Sequence, residues 1–187
     1  MRAAIERDGA AQRALLADDE PKARKAFAAA AELYRRSWES APPGSYGRLV
    51  GMLKSAVLGG GGEAEADYAR AELAAKRDEA SATASYASAI AALIVGDDGL
   101  AKRSAAAMRA GSDAFERTAD AIAALAARDR DAFEHSLRAI VEDFEARDQL
   151  LTDVPVADTA LMLERLAERR GMETGVESPM LPQSTKQ

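Results

Sequence analysis

The only histidine, His135, stands between Glu134 and Ser136, with Glu142 seven residues further on. A histidine near a carboxylate is a minimal kit for general acid–base work, but catalysis would also need a nucleophile or second acid brought to it by the fold. On a helix the pair reads better as a boundary or surface histidine. Gly59 to Gly62 is the one run that could cradle a phosphate. A phosphate loop follows a strand and carries Lys and Ser or Thr at the next helix start. Here Glu63 and Glu65 follow, which would repel phosphate, so the run reads as an inter-helix turn. Asp18-Asp19-Glu20 and Asp97-Asp98 suggest calcium, yet neither alternates oxygen ligands toward a distal Glu, and both read as helix caps. The Glu-x-x-His pairs of helical di-iron sites are missing. With no Cys, thiolate chemistry, disulfides and Cys-based zinc sites are excluded together. The sequence therefore offers no catalytic, cofactor-binding or metal-binding residue, and the expectation is a protein that is not an enzyme and uses no cofactor.

Two further features concern partners. Lys22, Arg24, Lys25, Arg35 and Arg36 give one helix a basic face, which Glu32 and Glu39 can offset, so a solvated face is preferred to a docking site. Trp38 is either a packing plug or an interface anchor, and packing is preferred. Formal net charge is −6, from 25 basic and 31 acidic residues, which speaks against binding a nucleic-acid backbone. No apolar run approaches the roughly 20 residues needed to cross a bilayer. The amino terminus MRAAIERDGAAQR lacks the apolar centre of a signal peptide, so a cytoplasmic location is expected.

The elements that would hold these residues are helical. At 187 residues the chain fits one domain or a short array. Much of its 48% hydrophobic content is alanine, while β-branched residues are sparse. The stretch from Asp120 to Phe144 shows the pattern. Ile122 and Leu125 line one helix, Arg128 to Asp131 interrupts it, and Phe133, Leu137, Ile140, Val141 and Phe144 then recur with helical spacing. A first helix is expected over 2–17 and a second over 21–40, started by the Asp-Asp-Glu-Pro turn and ended by Pro42-Pro43-Gly44. A third spans 45–58, with Tyr46, Leu49, Leu53 and Val57. The fourth opens at Glu63, and Asp78 or Ser81 is expected to separate it from the Ala/Ser-rich fifth helix carrying Tyr86 and Ile90. Helix six runs from Gly96-Asp97-Asp98-Gly99 to Gly111. Ser112 or Asp113 caps helix seven, and Asp129 or Asp131 caps helix eight. Asp153 and Pro155 start a well-buried ninth helix over 155–170, stopped by Gly171. Residues 1–171 then form one all-helical domain, and 172–187 an extended, partly disordered tail.

The turns recur in one frame. Leu15, Leu93 and Leu125 each precede an Asp by four residues (Asp19, Asp97, Asp129), and Ala23, Ala101 and Phe133 follow it by four. Leu58, Gly62 and Ala66 fit as a degenerate copy, giving intervals of about 32–43 residues, the range of helix-hairpin repeats. Ala23-x3-Phe27-x2-Ala30 and Gly96-Asp97-x3-Ala101 resemble the second helix and the inter-helix turn of tetratricopeptide repeats. That resemblance, over residues 1–146, implies antiparallel hairpins in a right-handed stack; a compact bundle of such hairpins is the alternative. Ala157 to Leu163, Arg170-Gly171-Met172 and Val176 to Pro182 are similar to the close of the bacterial immunity protein 49 family, which implies neutralisation of a toxin by direct binding. The expected fold is thus all-α, with eight or nine helices. The expected function is non-enzymatic binding of a protein or peptide through a groove or face of the stack. The alternatives are a small-molecule or lipid-binding bundle, and self-association through helix nine or the alanine faces into a homodimer.

Overall fold

The computed structural model describes residues 1–75 and 81–182, and among these the chain is all α. The helices are α1 (Arg2–Leu16), α2 (Glu20–Glu39), α3 (Gly47–Leu58), α4 (Glu63–Ala75), α5 (Ala82–Val95), α6 (Asp98–Met108), α7 (Asp113–Ala127), α8 (Arg130–Glu145) and α9 (Asp158–Glu168). Through α8, successive helices pack as neighbours, and α3 also meets α5, as α5 meets α7. The last helix breaks that order by returning to α3, α7 and α8.

Three turns share one construction. The helix before each ends in a left-handed residue: Asp18 (φ 54°), Gly96 (φ 78°) and Arg128 (φ 58°). The next residue is the Asp, whose amide reaches back to Ala14 O, Ala92 O or Ala124 O, closing the preceding helix. Its carboxylate then accepts from the amide of Lys22, Leu100 or Ala132, opening the next helix. The glycine run is a lengthened copy. Gly60 (φ 92°) takes the left-handed place and the Gly61 amide reaches Ala56 O, but it is Gly62 O that accepts from Ala66. One residue is inserted, so Gly62 matches the Asp only on its downstream side.

Alanine sets the spacing in the core. α5 is buried on nearly every side, with Ala87, Ala89, Ala91 and Ala92 between Tyr86, Ile90 and Leu93. Small side chains allow four neighbours (α3, α4, α6 and α7) to approach it. Gly51 on α3 does the same for Tyr34: a Cβ there would lie 2.7 Å from the tyrosine ring.

Several boundaries differ from those expected. α6 ends at Met108, before Gly111, and α9 begins at Asp158 rather than at Pro155. Residues 154–157 stay out of the helix because Val154 and Val156 are buried and the Ala157 amide donates to Met180 O, 2.9 Å away. Ser81 caps α5, accepting from the Ala84 amide at 3.0 Å, while Asp78 lies outside the described residues. A boundary at Gly171 does not separate packed from unpacked chain. Residues 172–182 carry no helix, but Met172, Met180 and Leu181 are buried and Ser178 Oγ donates to Glu145 Oε1 at 2.6 Å. Residues 183–187 lie outside the described range.

Candidate functional site

Polar groups that should be absent from such a core meet where α1, α2, α3 and α9 converge. On α1, Asp8 occupies the apolar register of Ala4, Ala11 and Leu15 and is only 6% exposed. Tyr34 Oη of α2 donates to Asp8 Oδ2 at 3.3 Å. Lys54 rises from the apolar face of α3, one turn beyond Val50, and its Nζ lies 2.6 Å from Asp158 Oδ2 at the start of α9. It also donates to Thr159 Oγ1 at 3.1 Å. Burial, then the charge of Asp158, pushes the Asp8 carboxyl up to about 7, against the lowering pull of Lys54 and Tyr34. Burial works against the Lys54 ammonium, yet Asp158 first, then Tyr86 and Asp8, raise it and hold it charged.

Lys54, Asp158 and Thr159 of this cluster floor a cleft of about 300 Å³, with Asp8 and Tyr34 behind them and outside its lining. Val50, Phe115, Ile140, Phe144, Leu150 and Val156 make its walls. The first or second residue of four helices faces it: Gly47 of α3, Thr83 of α5, Ala114 of α7 and Asp158 of α9. α3, α7 and α9 start without a side-chain cap. Four helix starts therefore border one volume, three of them uncapped and the fourth, α5, capped by Ser81.

At the side of the cleft, Asp143 of α8 accepts from Arg117 of α7 and from Arg147, whose Nε stands 3.1 Å away. The Arg147 guanidinium also sits 3.9 Å from the Phe144 ring centroid. Two guanidinium groups thus share one carboxylate. Arg117 Nε is sealed from solvent and makes no hydrogen bond. Tyr86 Oη is likewise buried without a partner at hydrogen-bonding geometry, with the Thr159 hydroxyl as its polar neighbour. The Tyr86 ring is fixed edge-on against Phe115, centroids 6.1 Å apart.

A second hollow lies between α9 and residues 173–182, with Glu164, Glu168, Glu173 and Glu177 around it. Thr174 Oγ1 donates to Glu164 and Arg165 pairs with Glu168, so part of its charge is answered within the chain. Among the described residues no group of three or more His, Asp or Glu side chains is placed to hold a metal ion.

The residues weighed in the sequence lie elsewhere. His135 and Glu142 are both exposed on α8, away from the cleft. The glycine run and the Asp-Asp turns are helix junctions. On the basic face, Arg24 pairs with Glu20, and Arg35 and Arg36 with Glu32. Trp38 is 4% exposed and donates to Glu72 at 2.9 Å, as a packing residue would. A signal for this site is present in the sequence: Lys54 of the cleft and Asp8 behind it are charges at apolar positions of amphipathic helices.

Comparison with protein families, with curated proteins and with solved structures finds no match for this chain. No described helix is long and apolar enough to cross a membrane.

Proposed function

We propose that the chain is a non-enzymatic binding module that recognises a protein or peptide partner through the cleft at the helix starts. The observation that carries this reading is the joint effect of α9 and the cleft. α9 packs on α3, α7 and α8, filling ground that an open stack of hairpins would leave free, and a deep recess with apolar walls and polar floor is left at its amino-terminal end. Such a recess suits an inserted side chain or chain end better than an extended helix. Leu151, 65% exposed at the cleft, extends the apolar surface outward. Inhibition of a toxin by direct binding, implied by the likeness of residues 157–182 to the immunity family, is one form of this function. The charge-paired floor argues for holding a partner rather than for turnover, since Lys54, Asp158 and Thr159 are already engaged with each other.

The test is affinity capture from native lysate by the wild-type chain beside Leu151→Asp, which alters only an exposed side chain. A protein recovered near stoichiometrically by the wild type and lost with the variant supports the reading. Equal recovery by both, or by neither, rejects it. A recovered partner whose toxicity the chain suppresses identifies the inhibitory form.

A further inference from the structure

Four buried side-chain atoms among the described residues lack a hydrogen bond: Ser55 Oγ, Tyr86 Oη, Arg117 Nε and Arg170 Nε. Two of these residues, Tyr86 and Arg117, line the same cleft. Leaving a buried donor unanswered is costly, and native interiors rarely do so without a reason. Arg117 Nε can only donate, and the Tyr86 hydroxyl, protonated at neutral pH as any tyrosine is, carries a donor of its own. The cleft therefore presents donors in want of acceptors.

Its charge points the same way. The cleft is lined by three cations (Lys54, Arg117, Arg147) against two carboxylates (Asp143, Asp158). Asp158 is occupied by Lys54, and Asp143 by both arginines. Among the lining side chains one positive charge is left over in a chain whose net charge is −6, offset in part by Asp8 behind Lys54. The three uncapped helix starts of α3, α7 and α9 add to it. The walls around it are aliphatic and aromatic, which favours an apolar body behind a single anionic head.

Resting on the reading of this cleft as the binding site, we infer that its inner end receives a carboxylate carried on an apolar group, bound by the Tyr86 hydroxyl and the Arg117 guanidinium. The carboxylate is either the chain end of a partner or a free amphipathic acid. Tyr86 and Arg117 hold the head; Phe115, Ile140 and Phe144 hold the body.

The experiment follows the Arg117 Nε–Hε resonance of the full chain by NMR at pH 7, assigned with Arg117→Lys. Four probes are titrated: octanoate, octanol, and a short apolar peptide with either a free or an amidated carboxyl terminus. At least one carboxylate probe is expected to shift the signal to saturation, while octanol and the amidated peptide leave it in place. Tyr86→Phe, which keeps the ring and removes the orphan hydroxyl, is expected to weaken that probe about tenfold without lowering thermal stability. Octanol matching octanoate, the amide matching the acid, unchanged affinity in Tyr86→Phe, or no shift with any probe would each overturn the inference. Saturation by octanoate alone upholds it with a free acid as ligand and removes the protein partner from this cleft. Saturation by the peptide acid alone upholds both. Leu151-dependent capture of a protein with no response to any carboxylate would keep the binding module and discard the carboxylate.

Discussion

Aspartate serves two opposite purposes in this molecule. At the turns, Asp19, Asp97 and Asp129 accept from amides three residues ahead in their own helices. They are exposed or half-buried at the surface, and every partner is local. At the cleft, Asp8 is buried behind the floor and Asp158 is a half-buried part of it, and their partners Tyr34 and Lys54 come from other helices, 26 and more residues away. The first arrangement stabilises a junction by a small amount and asks little of the rest of the fold. The second is held only because four helices agree, and each member becomes a liability once a partner is removed.

That contrast orders the expected effects. Lys54→Met should be the most damaging substitution, because it strands Asp158 beside Asp8 in low dielectric; a loss of about 3–5 kcal/mol is expected in urea unfolding. Replacing Asp158 by Asn in the same chain should restore a substantial part, and failure to restore any would show that Lys54 acts through packing alone.

Asp8 should give the next largest effect, and it depends on pH. In the unfolded chain the carboxyl ionises near its ordinary value of 3.8, in the folded chain near 7. Below the first value both states hold the proton and nothing is lost. Between the two, only the unfolded chain releases it, so folding weakens steadily; above 7 the penalty is complete, on the order of 4 kcal/mol. Asp8→Asn, which can still accept from Tyr34, should therefore match the wild type near pH 4 and exceed it in stability at pH 8. Parallel stability–pH curves for the two proteins would contradict this.

At the turns, Asp97→Ala and Asp129→Ala should each cost about 1 kcal/mol, additively and with little dependence on pH between 6 and 8. Smaller still is Arg128→Gly, which relieves a left-handed backbone at the price of one weak contact with Asp98; a gain of about 0.5 kcal/mol is expected in thermal unfolding. A turn substitution that changed the Arg117 resonance would blur the separation between the two regions.

The same contrast explains how much could be read from the sequence. The all-helical class and the Asp caps followed from alanine content, spacing and turn residues, all of which act within a few positions of one another. The inserted residue among Gly59–Gly62 was invisible because glycine has no side chain to mark the register. The start of α9 was misplaced because Pro155 is a good local helix starter, while the deciding bond comes from Met180, far along the chain. The cleft was missed for a related reason. Asp8 and Lys54 stand at apolar positions of their helices, but the partners that make such positions tolerable, Tyr34 and Asp158, lie 26 and more residues away.

The position of α9 also governs how the protein is made. Lys54 emerges early in synthesis, but the carboxylate that answers it is about 100 residues further on, which is about 5–20 s at ordinary elongation rates. Throughout that interval the face of α3 that meets α9 is uncovered, joined by that of α7 once residues 113–127 are made. The nascent chain must therefore hold a lysine in an unfinished core, and any stall before residue 158 leaves a species that cannot settle. Completion of this core is thus tied to the arrival of α9, which brings Asp158 to Lys54.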